Sequence, residues 1–271
     1  NFLRNGFAGN RGYNAPRDMA NVERLEVIKG PASALYGGSE PGGILNIVTK
    51  KPQFKSGHAL EMYVGSYDTY RTTLDSTGPI SDTLAYRLNL AYEDKGSFRE
   101  QVDSQRYLVA PSFTWLLGAG TIVNYDLELL RQKAPMDRGV IAVNGKVGSI
   151  PRERFLGEPG DGDITIDNKT HHLTVEHELA DAWKAKFGLA YRTTSLEGYS
   201  TEASPRTAGS IRSTSAGAPV IERERRFRDY SSNDLSFQGE ILGKFSTGWL
   251  QHEVLTGLDS YRFELDQLMR R

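Results

Sequence analysis

Residues 84–92 read Leu84-Ala85-Tyr86-Arg87-Leu88-Asn89-Leu90-Ala91-Tyr92. Leucine and tyrosine occupy every even position, and alanine, arginine and asparagine every odd one. Successive side chains of a strand point to opposite faces, so this ribbon has one greasy face and one small or polar face. The same alternation recurs along the chain. Tyr107, Val109, Phe113, Trp115 and Leu117 share a face. Val123, Tyr125, Leu127 and Leu129 stand opposite Asn124, Asp126 and Glu128, and Trp183, Phe187, Leu189 and Tyr191 opposite Lys184, Lys186 and Arg192. Shorter examples are Leu60, Met62 and Val64, then Leu173 with Val175, Leu235 with Phe237 and Ile241, and Val254 with Leu258. The pattern predicts strands of about 9–12 residues, longer than the roughly 5–6 of an average soluble strand.

The connections alternate too. Leu117 to Thr121, Glu178 to Trp183 and Phe245 to Trp249 read as tight turns, whereas Asp94 to Gln105, Gln132 to Lys169 and Thr193 to Asn233 read as long polar loops. Long strands with aromatic ends, tight turns at one rim and long loops at the other are what an outer-membrane barrel requires. Hydrocarbon offers backbone groups no partner, so the strands must be uninterrupted and paired within the sheet. A soluble antiparallel sandwich shows the same alternation and is the competing reading.

Composition narrows the classes. The 271 residues carry 33 Lys+Arg against 34 Asp+Glu, which argues against a nucleic-acid binder working by phosphate neutralisation. A hydrophobic content of 38% with 10% aromatics is too high for a disordered chain, yet low for a soluble domain of this length with a large core. No apolar run reaches the roughly 18 residues of a transmembrane helix. The absence of cysteine removes disulfides, thiol catalysis and cysteine zinc sites.

Residues 1–53 follow a different logic. Asn21 to Pro52 reads NVERLEVIKGPASALYGGSEPGGILNIVTKKP, in which the strand-like runs Val22 to Ile28 and Ile44 to Thr49 bracket a Gly/Pro-rich turn. The turn has no Gly-Lys-Ser/Thr and no helical pattern after it, so it is not a nucleotide loop. This stretch resembles the end of the plug domain of TonB-dependent outer-membrane receptors, and VERLEVIKGPASALYG followed by EPGGILNIVTKKP is similar to the siderophore-receptor branch. TWLLGAGTIVNYDLELLRQKAP and LQHEVLTGLDSYRFE are similar as well. The resemblance implies an all-β fold: the C-terminal part of a plug over residues 1–53, then part of an antiparallel transmembrane β-barrel of a 22-strand type over 54–271. The chain is thus expected to be a fragment, with about nine barrel strands, of a non-enzymatic receptor in the bacterial outer membrane. That receptor would carry a ferric siderophore as transported ligand, hold no cofactor, meet lipid and lipopolysaccharide, and be energised by the TonB complex. Cobalamin or a glycan is the alternative cargo, and a secreted all-β enzyme or adhesin the alternative class.

The resemblance also implies site residues. Apical plug loops fall on Gly9 to Arg17, where Arg11 offers a cation and Tyr13 a ring and hydroxyl for an oxygen-rich chelate. Arg138 stands at the rim after the strand ending near Leu130, where relatives place aromatics, and Tyr199 in the next long loop is a further candidate. Arg24 and Lys29 are expected to latch the plug to barrel carboxylates lying beyond Arg271, because a charge buried at that seam must be paired. Three clusters point elsewhere without carrying chemistry. His171, His172, Glu176 and His177 divide between the two faces of a strand, which argues against zinc catalysis. The acidic residues Glu158, Asp161, Asp163 and Asp167 lack calcium-loop spacing. Arg223, Arg225, Arg226 and Arg228 form a basic rim that is either simply solvated or faces an anionic chelate or lipopolysaccharide phosphates.

Overall fold

A computed structural model describes residues 2–8, 16–29, 43–118, 120–142, 146–204, 211–213 and 219–271. Four short strands come first: β1 (Phe2–Arg4), β2 (Phe7–Ala8), β3 (Val22–Ile28) and β4 (Ile44–Thr49). They form an inner sheet in the order β2-β1-β4-β3, with β1 parallel to β4 and the other pairs antiparallel. Asn5 and Gly6, both at positive φ (50° and 86°), make the two-residue β1–β2 turn. That geometry matches the twist of a hairpin and suits Asn-Gly. The Asn5 carboxamide then accepts the Thr49 N–H at 2.9 Å and donates to the Thr49 hydroxyl at 2.8 Å, locking β1 onto β4.

A second sheet begins at Gly57. Its strands are β5 (Gly57–Gly65), β6 (Thr69–Pro79), β7 (Leu84–Lys95), β8 (Ser104–Leu117), β9 (Thr121–Ala134), β10 (Ile164–Ala180) and β11 (Trp183–Ala203). A small hairpin, β12 (Ile211–Ser213) with β13 (Pro219–Ile221), separates these from β14 (Arg223–Thr247) and β15 (Leu250–Arg270). Among the described residues the large sheet has nine strands, each antiparallel to its neighbour, in the order β15-β14-β11-β10-β9-β8-β7-β6-β5. Short turns such as Gly248-Trp249 lie at one rim and the longer connections 96–103, 135–163 and 204–222 at the other.

The two faces of this wall decide its surroundings. On β7, Ala85, Arg87, Asn89 and Ala91 are buried, while Tyr92 is 39% exposed. On β8, Leu108, Ala110 and Ser112 are buried, while Phe113 is 38% and Trp115 48% exposed. On β14, Ser232, Asp234 and Ser236 are buried and Leu235 is 43% exposed. The polar face is thus the covered one, packed on the inner sheet, and among the described residues the greasy face meets no second layer of protein. A soluble sandwich inverts this order, so the sandwich reading fails. Lipid is the medium that suits such an outer face.

Strand length departs from the expectation. β10, β11 and β14 run for 17, 21 and 25 residues, and stretches expected as loop, such as Thr193 to Ala203 and Arg223 to Asn233, are paired strand. Ladder hydrogen bonds do not need apolar side chains, so the sheet continues past the greasy band with polar residues on its outer face. On β11 that face changes from Phe187, Leu189 and Tyr191 to Thr193, Ser195 and Glu197, which marks the end of the membrane-facing part.

Candidate functional site

Two adjoining regions bring functional groups together: the seam between inner sheet and wall, and the inner surface of the wall at its long-loop rim. Strand parity builds both. Arg71, Asp75, Arg87, Arg106, Glu128, Asn168, His172 and Gln238 all occupy inward positions of β6 to β14. Each meets the inner sheet or the chain on either side of it.

Three carboxylates organise the seam. Asp18, fully enclosed, receives the Arg71 guanidinium at 2.7 and 3.0 Å and lies 3.8 Å from Arg106. Burial pushes the Asp18 carboxyl up, but the Arg71 hydrogen bonds, the Ala20 N–H and the charges of Arg71 and Arg106 outweigh it and hold it below the usual carboxylate range. Glu128 takes Arg4 at 2.5 Å and the Asn21 carboxamide N–H at 2.6 Å. Asp75 takes Lys50 at 2.9 Å together with Arg87, whose guanidinium also donates to the Lys51 carbonyl at 3.0 Å. An aromatic contact completes the seam: Phe7, 1% exposed, lies with its ring centre 5.1 Å from that of His172. Gly188 makes room for that ring, since a Cβ there would stand 2.4 Å from it. Between these contacts a polar cavity of about 770 Å³ remains, bordered by Glu23, Lys51, Arg87, Lys186, Gln238 and Glu240.

At the rim, Glu202 is the hub. It is buried on the inward face of β11 and pairs with Arg228, which also donates to Ser200. Arg138 reaches the same carboxylate at 3.1 Å, and Arg226 lies 3.9 Å away while bonding Glu224 at 2.8 Å. Burial raises the Glu202 carboxyl, but Arg228 and Arg138 overcome it and hold the group below its usual range. Met136 packs close by on Ile164, Leu196 and Tyr230. Arg138, its side chain half exposed, is a cation that can meet an anionic or oxygen-rich solute, while Arg226 and Arg228 are buried and paired with Glu224 and Glu202.

The sequence-predicted residues fall as follows. Arg11 and Tyr13 lie outside the described residues. Arg138 is on the inner side of the rim, with its side chain half exposed. Tyr199 is not in a loop: it lies on the outward face of β11, its ring 4.9 Å from Phe227 and beneath the Arg225 guanidinium at 4.2 Å. The strand simply runs past it, and its odd position turns it away from the lumen. Arg24 is exposed and pairs with Glu26 two residues on, at 2.7 Å, and Lys29 is exposed at the end of β3. Among the described residues neither pairs with a wall carboxylate, while Asp18, Glu128 and Asp75, which sequence reasoning missed, join the inner segment to the wall. Alternation places their partners on the inner face but does not say what each touches.

Parity also divides the three other clusters. His172 faces the seam, whereas His171 bonds the Tyr125 hydroxyl and His177 the Thr121 hydroxyl, each at 2.8 Å. No group of three or more metal-binding side chains occurs among the described residues. Glu158, Asp161 and Asp167 are held by Arg223, Arg225 and Arg131 at 3.0, 2.7 and 2.7 Å. Arg223 and Arg225 therefore pin the loop 156–161 against the outer face, while Arg226 and Arg228 face inward. The four arginines expected as one patch are two sites with opposite outlooks.

A curved wall that is greasy outside and polar inside, built around a small sheet held by ion pairs, defines a plugged outer-membrane barrel. The family described as the TonB-dependent Receptor Plug Domain matches residues 1–44. The metal-pseudopaline receptor CntO of Pseudomonas aeruginosa strain UCBPP-PA14 is 43% identical over 97% of this chain and 36% of its own length. The ferrichrome outer membrane transporter/phage receptor of Escherichia coli K12 is 27% identical over 95% of this chain and 37% of its own. The crystal structure of the ferric-catecholate import receptor Fiu of E. coli K12 in its open form superposes with a TM-score of 0.86, at 26% identity over 97% of this chain and 42% of that one. Along nearly its whole length the chain is similar to TonB-dependent receptors of the outer membrane. It spans about a third of the length of the curated relatives it matches, and these are receptors and transporters rather than enzymes.

Proposed function

We propose that the protein to which this chain belongs captures a metal–chelator complex at the outer face and admits it to the periplasm when the TonB complex acts on the plug. The observation that carries this reading is the inner sheet seated in the lumen on charged clamps: a bore filled in that way passes a large solute only if the filling is made to move. Residues 1–53 are assigned to the plug and 54–271 to the barrel wall, in contact with lipid and lipopolysaccharide. The chelate is held at the rim by Arg138, which the buried Glu202–Arg228 pair positions, together with the apical residues Arg11 and Tyr13. Similarity to the metal-pseudopaline receptor over nearly the whole chain supports a complex of that type as cargo, with a ferric siderophore as the second reading. Cells lacking their own receptor and carrying the complete gene are expected to accumulate radiolabelled metal given as metal–pseudopaline. Uptake confined to a ferric catecholate or ferrichrome favours the second reading, and uptake of cobalamin or a glycan in place of any metal chelate overturns both.

A further inference from the structure

The stretch Pro16–Asp18 has more wall contacts than any of its three residues would suggest from sequence. The Pro16 carbonyl accepts the Asn168 carboxamide N–H from β10 at 3.0 Å, and the Arg17 carbonyl accepts Arg106 from β8 at 3.4 Å. Asp18 takes Arg71 from β6. Each donor is itself braced by the next strand: Arg71 also reaches Glu93 of β7 at 3.2 Å, and Arg106 donates to the Gln132 carboxamide oxygen of β9 at 2.9 and 3.2 Å. Five consecutive strands thus converge on three plug residues. All of the wall groups except Asn168 stand within three residues of a strand end at the long-loop rim, so the convergence is at the mouth and not deep in the bore.

We propose that Asp18 is a positioning residue for chelate capture, fixing the plug stretch that runs directly out of residues 9–15 against the rim of the wall. This rests on the receptor reading above. A neutral staple would not suffice, because Arg71, which also pairs with Glu93, and Arg106 both draw counter-charge from Asp18 in a partly covered seam. Asp18 supplies it while its own backbone neighbours accept the remaining N–H groups, so removing one negative charge loosens three attachments together. The role differs from general bracing in its place: Glu128 and Asp75 hold the sheet farther along the seam, and none of these Pro16–Asp18 contacts involves either of them.

The test uses the complete receptor in outer-membrane vesicles and in cells. Trypsin cuts after arginine, and cleavage at Arg17–Asp18 reports the staple once it is normalised to the same bond in each denatured variant, because an acidic residue after the arginine itself slows trypsin. In Asp18→Asn, cleavage there is expected to rise about tenfold or more, the scale of losing a hydrogen-bonded charged pair. The half-saturating concentration of metal–pseudopaline for uptake is expected to rise by a similar factor, with the saturated rate near wild type. Asp18→Glu keeps the charge and should restore most of both. Arg106→Gln, which spares the Arg71 contacts, should give a smaller shift in the same direction and serves if Asp18→Asn does not assemble. Wild-type cleavage and wild-type half-saturation in both Asp18→Asn and Arg106→Gln overturn the proposal, as does a fall in saturated rate with half-saturation unmoved. Absence of uptake in the wild type itself removes the cargo reading instead, and the cleavage arm still decides the staple.

Discussion

Arg87 and Asp75 form a two-pronged pair on the inner face of the wall, with guanidinium nitrogens 2.8 and 2.7 Å from the two carboxylate oxygens. The same carboxylate holds Lys50 at 2.9 Å. One group therefore joins β6, β7 and the last residues of the plug. With one anion between two cations, the geometry rather than the count of charges sets the register between plug and wall.

A double-mutant cycle of Lys50→Met and Asp75→Asn in the complete receptor should give a coupling energy of about 1–2 kcal/mol, the range for contacting charged groups. Denaturant titration of plug release, followed by protease sensitivity, measures it. Strict additivity of the two single variants would mean that the contact contributes nothing to docking.

Phe7 sits in a notch made by Gly188 and His172. Truncation of Phe7 to alanine should lower the stability of the docked plug by about 3–5 kcal/mol, as for other buried aromatics. Gly188→Val should do comparable harm by the opposite route, since its side chain would occupy the ring's place. Hydrogen exchange of β1 and β2 reads both effects, and unchanged protection in either variant would remove Phe7 from the docking contacts.

The outward positions are predicted to touch acyl chains. Leu90→Arg should cost about 2–4 kcal/mol in folding into lipid vesicles, the cost of arginine at mid-membrane on a barrel's outer face. Trp115 and Trp183 are likewise expected to be strongly quenched by brominated acyl chains. Weak quenching of both would place that face against something other than lipid.

Glu202 lies well beyond the greasy band, and its pairing with Arg228 and Arg138 depresses its titration. A depressed carboxylate stabilises the fold above its unfolded value, about 4.3, and that contribution is lost as pH falls through the lower folded value. Glu202→Gln should therefore destabilise the rim at pH 7 by about 3 kcal/mol, as when one partner of a buried pair is removed. The difference from wild type should shrink once the pH is below the folded value. A gap that stays constant down to pH 3 would show that the charge is not the cause.

Alternation in runs such as Leu84 to Tyr92 is enough to assign strands, their two faces and the direction of the greasy one, because a period of two is a local property of the chain. The same parity separates His172 from His171, and Arg226 and Arg228 from Arg223 and Arg225, once the strands are known to extend that far. The polar ends of β10, β11 and β14 were not legible, since Thr193, Ser195 and Glu197 carry no greasy signal and are held as strand by their neighbours' ladders. That is why Tyr199 reads as a loop residue in sequence and as an outer-wall residue in structure.

Sequence by itself determined which side chains share a face and that the opening residues resemble a plug, because backbone geometry and composition are written residue by residue. Only the tertiary structure showed that Asp18, Glu128 and Asp75 join the opening segment to the wall. Asp18 is 53 residues from Arg71, and Asn168 is 152 from Pro16. Contacts across such separations depend on which strand lies beside which, and no local pattern encodes that.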